Sequence, residues 1–166
     1  AVAKLSRLYG DSSMEVIAPS QKTKEMLLGY HVRREISVIP TGLKLDQFSP
    51  DHFNPDFRQE LYDRYGITEN EKLIIYVGRL AEEKALDLVI RGFARAIEMK
   101  IPVKLLIVGG GPDLEPLTKM TKQMGIDHSV FLAGPQPSGT IADYYRSADA
   151  FISASLSETQ GMTFIE

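Results

Sequence analysis

Three stretches of the sequence place charged residues and glycines where they could handle an anionic, hydroxyl-rich ligand. The first is Gly78-Arg79-Leu80-Ala81-Glu82-Glu83-Lys84, directly after an apolar run. A glycine lets the backbone turn sharply off the end of a strand. Arg79 then offers two parallel donors to an anion, and Lys84, expected at the start of the next helix, adds a point charge. Two cations beside a helix N-terminus suit a diphosphate, although a turn followed by a solvated, charged helix start explains the same residues about equally well. The second stretch is Gly109-Gly110-Gly111-Pro112-Asp113. Its glycines permit positive φ and close backbone approach, and Pro112 is expected to begin a helix. Leu114 stands where the dinucleotide fingerprint Gly-x-Gly-x-x-Gly needs glycine, which makes a nicotinamide-dependent dehydrogenase a poor reading. A tight turn accounts for these glycines as well as ligand contact does, so no phosphate site is assigned to them.

The third stretch is Glu158-Thr159-Gln160-Gly161-Met162-Thr163-Phe164-Ile165-Glu166, two carboxylates with seven residues between them. With Glu158 in a loop and Glu166 inside a helix, the amides near Gln160, Gly161 and Met162 would face one crevice, ready for phosphate oxygens. Glu166 could accept two hydrogen bonds from the vicinal hydroxyls of a ribose, and Glu158 could do so for a sugar. Along a helical path, eight steps of about 1.5 Å separate the pair by roughly 12 Å, too far for a paired acid and base but suited to opposite ends of one ligand. A capped helix with solvated acids is the plainer reading of this segment alone. Elsewhere, Pro40-Thr41-Gly42 follows a strand and reads as a crevice loop or a plain turn. His31, His52 and His128 share no metal-ligand spacing, and Ser13, Ser20 and Ser155 have no histidine nearby in sequence to suggest a hydrolytic triad.

Short β-branched runs that would position these residues recur over 15–18, 36–39, 73–77, 104–108, 130–133 and 150–153. Several are apolar throughout, as in parallel strands covered on both faces. Between them, Asn54 and Pro55 start a helix through Phe57, Leu61 and Tyr65 that Gly66 closes. Leu86, Val89, Ile90, Phe93, Ala94 and Ile97 recur at helical steps, and Leu114, Leu117 and Met124 mark another helix ended by Gly125. From residue 73 the order is strand, helix, strand, helix, strand, short helix, strand. That order predicts an α/β, Rossmann-like doubly wound parallel sheet with right-handed crossovers, with its ligand beyond the carboxyl ends of the strands. Residues 49–55, rich in Pro, Asp and Asn, read as a surface loop. They divide entry strands and an interdomain loop (1–55) from a βα core (56–166).

The 166 residues carry 19 Lys plus Arg against 22 Asp plus Glu, a formal charge of −3, and are 43% hydrophobic and 25% charged. Such a chain can bury a core, and its scattered charge argues against a nucleic-acid binder. No cysteine is present, so there is neither a disulfide nor a thiolate metal site, and the composition suits a reducing, cytoplasmic setting. Apolar runs fall far short of the roughly 18 residues that a spanning helix needs. The first ten residues lack the apolar centre of a secretory signal, and with no initiator Met the sequence reads as cut from something larger. Lys22, Lys24, Arg33 and Arg34 form a small basic group consistent with ordinary surface charge.

Taken together and in order, Val16-Ile17-Ala18-Pro19-Ser20, Val38-Ile39-Pro40-Thr41-Gly42, Phe48, the Gly-Arg-x4-Lys element and the terminal Glu-x7-Glu span nearly the whole chain. They resemble the C-terminal, nucleotide-sugar-binding half of a family-4 (group 1) glycosyltransferase of GT-B architecture. The resemblance implies a retaining hexosyltransferase that moves a hexose from a nucleotide sugar to a lipid or glycan hydroxyl, without a metal or other cofactor. Arg79, Lys84 and Glu158 would be its catalytic residues. Donor binding would fall to Gly78, Arg79 and Lys84 at the diphosphate and to Glu166 at the ribose. Glu158, Thr159, Gln160, Gly161 and Met162 would face the sugar and its β-phosphate, the backbone from Phe131 through Gly134 would lie beside the base, and Gly42 would line the interdomain cleft.

Two residues depart from the family's pattern. Ala85 replaces the glycine common after the lysine, which should matter little to binding, and Gln160 occupies a place often held by an aromatic residue. Within Glu-Thr-Gln-Gly-Met-Thr, the second departure is similar to Gram-positive diacylglycerol glucosyltransferases, which implies UDP-glucose as donor and bacterial glycolipid synthesis. Capsule or other glycan transferases and phosphatidylinositol mannosyltransferases would carry much the same half. The acceptor site and catalytic base belong to an N-terminal half absent here, so the isolated chain is expected to bind donor weakly and not to turn over. The resemblance further implies no nucleic-acid partner, and a parent enzyme in the cytoplasm with peripheral contact at the inner face of the cell membrane. The other reading is a non-catalytic α/β module that binds a phosphorylated ligand or a protein partner.

Overall fold

The computed structural model describes residues 1–155, 158 and 160–166. In chain order its elements are α1 (Val2–Ser12), β1 (Val16–Ala18), α2 (Gln21–Gly29), β2 (Ile36–Val38), α3 (Pro55–Tyr65), β3 (Lys72–Val77), α4 (Leu86–Glu98), β4 (Val103–Val108), α5 (Leu114–Gln123), β5 (Val130–Gly134), α6 (Ile141–Ser147), β6 (Ala150–Phe151) and α7 (Met162–Ile165). Each of the six expected apolar runs contains a strand. They do not share one sheet: among the described residues β1 pairs only with β2, while the other four form a sheet in the order β5-β4-β3-β6, and every such pairing is parallel. The chain divides into two compact units, Ala1–Leu43 with Glu158–Ile165, and Lys44–Ser157 with Glu166.

The larger unit is three-layered, as expected of strands covered on both faces. Because side chains alternate along a strand, Leu105 and Ile107 of β4 and Tyr76 of β3 point to one side. There they bury against Leu86, Val89, Ile90 and Phe93 of α4 and Leu117 of α5. Leu73, Ile75, Val77, Leu106 and Val108 point to the other side, against Leu61 and Tyr62 of α3 and Tyr144 of α6. Asn54 caps α3 by accepting from the Phe57 amide at 3.2 Å, and Gly66 closes the helix with φ 60°. Residues 49–55 are more ordered than a plain loop. A 3₁₀ turn at Leu45–Phe48 precedes another at Pro50–His52, and Arg146 Nη1 donates to the Gln47 carbonyl at 2.6 Å.

The order β5-β4-β3-β6 reverses at β3, since the chain runs outward through β4 and β5 and then returns past β3 to β6. Asp149 secures the returning strand. Its carboxylate accepts from the Leu73 amide at 2.8 Å and from Lys72 Nζ at 3.2 Å, and its own amide donates to the Leu73 carbonyl at 2.8 Å. Burial pushes this carboxyl up, but the Leu73 amide and the Lys72 ammonium outweigh burial and hold it below the ordinary aspartate value.

In the smaller unit, β1 and β2 close a core of Ala18, Val32 and Ile36. Ser20, weighed above as a nucleophile and as part of the Val16–Ser20 element, caps α2 by accepting from the Thr23 amide at 3.2 Å.

Candidate functional site

Beyond the carboxyl end of β3 the chain turns at Gly78, whose φ of 154° and closeness to the Tyr76 hydroxyl leave no room for a side chain: an added Cβ would lie 2.8 Å from that oxygen. The buried Tyr76 hydroxyl donates to the Arg79 carbonyl at 3.0 Å, and the next residue, Leu80, is fully buried. Arg79, exposed, is therefore carried on a loop anchored on both sides. The glycines after β4 complete the anchoring. The Gly78 amide donates to the Val108 carbonyl at 3.0 Å, the Leu80 amide to Gly110 at 2.9 Å, and the Asp113 amide to Leu80 at 3.1 Å. A Cβ on Gly109 would fall 1.8 Å from the Gly78 carbonyl oxygen, and one on Gly111 would fall 2.1 Å from that of Leu80. These glycines thus serve close backbone approach between two loops. The helix α5 starts at Leu114, after Pro112 and not at it, with Asp113 as its N-cap residue.

Lys84 sits before α4, not within its first turn. It ends a 3₁₀ turn, Glu82–Lys84, and Ala85 then takes a left-handed conformation, φ 48° and ψ 42°, before α4 begins at Leu86. This backbone explains why glycine suits the position. Lys84 Nζ donates to Ser155 Oγ at 3.4 Å, and the Ser155 amide donates to Ser153 Oγ at 3.2 Å. Residues following β3 and β6 are thereby joined where the strand order reverses, the place at which ligands sit in open α/β sheets. Sequence reasoning weighed Ser155 only as a hydrolytic nucleophile; a polar residue shortly after a strand was the available signal for this second role.

At the neighbouring strand ends, Gly134 closes β5 with φ 70°, and its carbonyl accepts from the Gly109 amide at 2.9 Å. Phe131 lies near the start of β5 with its ring packed on Tyr65, centroids 4.9 Å apart, so its side chain belongs to the core. Glu166 follows α7 and is not inside it. The Tyr145 hydroxyl donates to Glu166 Oε2 at 3.0 Å. Burial, followed by the adjacent Glu166 charge, pushes the Tyr145 hydroxyl above the ordinary tyrosine value, so the phenol keeps its proton and orients the carboxylate. The contact between Tyr145 and Glu166 was not among the sequence expectations.

The smaller unit holds Gly42, Glu158, Gln160, Gly161 and Met162. Gly42 is exposed, and a Cβ there would meet nothing within 4 Å. Lys22 Nζ donates to the Glu158 carbonyl at 3.3 Å, a specific contact for a residue read above as ordinary surface charge. Gly161 has φ 69° and accepts from the Phe164 amide at 3.0 Å, leading into the four-residue α7. Thr159 lies outside the described residues. Among the described residues there is no group of three or more His, Cys, Asp or Glu able to hold a metal ion, and no helix long and apolar enough to cross a membrane.

Comparison with known proteins agrees with this geometry. The family model described as Glycosyl transferases group 1 matches residues 57–166. An alpha-monoglucosyldiacylglycerol synthase of Streptococcus pneumoniae is 37% identical over 151 residues, covering 91% of this chain and 34% of that protein. One from Acholeplasma laidlawii is 28% identical over 163 residues, 98% of this chain and 41% of that protein. The chain thus spans about a third to two-fifths of the length of these curated relatives. A crystal structure of HepE from Anabaena in complex with UDP and glucose superposes with a TM-score of 0.79 at 18% identity, over 95% of this chain and 42% of that one. Its likeness bears on the fold, which is that of one Rossmann-like half of a GT-B enzyme. The cation-bearing loop at the reversal of a parallel sheet and the family match over its whole βα region agree, and the chain belongs to the group 1 glycosyl transferases.

Proposed function

We propose that this chain is the donor-binding part of a retaining glycosyltransferase that moves glucose from UDP-glucose to a lipid hydroxyl. One observation carries the reading: Arg79 and Lys84 occur on one loop beyond β3, with Lys84 hydrogen-bonded to Ser155 beyond β6 at the point where the strand order reverses. Breaking the bond between the anomeric carbon and the β-phosphate oxygen leaves negative charge on the departing nucleoside diphosphate. Groups placed in advance where charge develops lower the barrier most. Arg79 offers the planar fork that matches phosphate oxygens in pairs, and Lys84 a compact charge beside it. In this proposal the two side chains neutralise the leaving group, and no metal or cofactor is assigned that task.

Glu166, oriented by Tyr145, has its second oxygen available for the vicinal hydroxyls of the ribose. The backbone near Gly134 is assigned to the base, Gly42 to the cleft, Glu158 to the donor sugar, and Thr159 and the amides of Gln160, Gly161 and Met162 to the sugar and its β-phosphate. The relatives named for glucosyl-diacylglycerol synthesis support a glucosyl donor and a lipid acceptor. The acceptor and its base are assigned to the part of those relatives that this chain does not cover, which places turnover in the larger protein. A lipid acceptor would put the reaction at the cytoplasmic face of the membrane, with peripheral contact.

The test is glucosyl transfer from UDP-glucose to diacylglycerol by the full-length protein. Lys84→Ala should lower turnover by about 10²- to 10³-fold, the range for removing one preorganised donor from developing charge. Undiminished transfer by Lys84→Ala would remove the role assigned to Lys84.

A further inference from the structure

The side chain of Gln160 pairs with the backbone of a distant loop. The Thr41 amide donates to Gln160 Oε1 at 3.0 Å, and Gln160 Nε2 donates back to the Thr41 carbonyl at 3.3 Å. In extended backbone the N–H and C=O of one residue face the same edge, and a planar carboxamide presents an acceptor and a donor side by side to match them. The ladder between β1 and β2 ends with the Ile39 amide donating to Ala18 at 2.9 Å. Gln160 thus supplies, two residues later, the pairing that a further strand residue would have made. The same short segment is held at a second point, where Lys22 Nζ meets the Glu158 carbonyl at 3.3 Å. Both contacts lie within the smaller unit and join residues more than a hundred positions apart.

We propose that Gln160 is a positioning residue: its carboxamide latches the segment bearing Glu158 and Gly161 to the Pro40-Thr41-Gly42 loop, so that the donor-facing residues and that loop are ordered as one piece. This assignment rests on the functional reading above and deepens it by giving the side chain a role apart from its backbone amide. An aromatic ring here could stack but could not bond both groups of Thr41. Glutamate, of the same length, keeps an acceptor for the Thr41 amide and loses the donor to the Thr41 carbonyl. Methionine, of similar length, loses both.

Two measurements on the full-length protein test the latch. The first is hydrogen exchange of the Thr41 amide without donor. Gln160→Met should speed exchange by about tenfold or more, and Gln160→Glu, which keeps an acceptor for the amide but turns a carboxylate oxygen toward the Thr41 carbonyl, should also speed it. The second is the kinetic split with UDP-glucose. Gln160→Met should raise the donor KM by about five- to tenfold with kcat changed less than about twofold, the pattern of lost binding before the chemical step. Unchanged Thr41 exchange in Gln160→Met, in a protein that still transfers glucose, would overturn the latch alone. Faster exchange with an unaltered KM would show a latch with no part in donor binding and would also overturn the proposal. A wild-type protein that neither binds nor uses any nucleotide sugar would overturn the functional reading, and the role of the latch with it.

Discussion

Replacing Gly109 by alanine tests how the Arg79 loop is held. The added Cβ would lie 1.8 Å from the Gly78 carbonyl oxygen and 2.9 Å from the carbonyl carbon, so the ends of β3 and β4 must part by roughly an ångström. That movement stretches the bonds from the Gly78 amide to Val108, now 3.0 Å, and from the Leu80 amide to Gly110, now 2.9 Å, beyond useful range. Losing the two costs about 0.5–1.5 kcal/mol each, and holding alanine at a φ of 143° adds about 1–3 kcal/mol. The expected destabilisation is therefore about 2–6 kcal/mol, a large part of the roughly 5–15 kcal/mol typical of a domain. At about 2–4 °C per kcal/mol, the melting temperature should fall by about 10 °C. Denaturant titration gives the energy directly, and amide exchange at Gly78 and Leu80 shows whether the loop itself has opened. Gly92→Ala is the control, because Gly92 is exposed inside α4 with nothing within 4 Å of a Cβ. That change should stabilise by about 0.5–1 kcal/mol. If Gly109→Ala cost less than about 1 kcal/mol, close approach of the two loops would not be what positions Arg79.

Ala85 holds a left-handed conformation that costs an L-residue about 1–2 kcal/mol. Ala85→Gly should therefore raise stability by about 0.5–1 kcal/mol after the greater freedom of glycine in the unfolded chain is subtracted, leaving nucleotide affinity unchanged; chemical denaturation and a nucleotide titration check the two halves. Asp149→Asn, which keeps the shape but removes the charge that Leu73 and Lys72 meet, should cost about 1–2 kcal/mol at neutral pH. Because the folded carboxyl titrates below its ordinary value of 3.8, its contribution is fully present above that pH and disappears as pH falls through the lower, folded value. Wild-type and variant stabilities measured by denaturant titration should converge on acidification.

Much of the fold was legible because its signals are local. The apolar runs located the six strands among the described residues, and Asn54, Pro55 and Gly66 marked both ends of α3. The helices α1 and α2 went unread: α1 spaces Val2, Leu5, Leu8 and Tyr9 at helical steps but leaves them exposed, and α2 buries no residue fully. The pairing of β1 with β2 alone was hidden for another reason: short parallel strands carry no local mark of which neighbour they choose. The same division holds for the candidate site. Arg79 and Lys84 stood out by charge and spacing, but what fixes them does not lie beside them in sequence. Gly109 and Gly111 approach the Arg79 loop from some 30 residues away, Ser155 meets Lys84 across 71 positions, and Tyr145 meets Glu166 across 21. The left-handed backbone at Ala85 is not marked by alanine itself; the one hint was that glycine suits the place after the lysine.

The central claim is that the cations beyond β3 bind the diphosphate of a uridine nucleotide sugar. The most direct measurement is calorimetric titration of the full-length protein with UDP, GDP, ADP and their sugar derivatives, run in parallel on Lys84→Ala. The account predicts selective binding of UDP and UDP-glucose that Lys84→Ala weakens by at least tenfold. A preference for GDP would move the donor to a mannosyl nucleotide, and binding of no nucleotide, or equal binding by wild type and variant, would contradict the account.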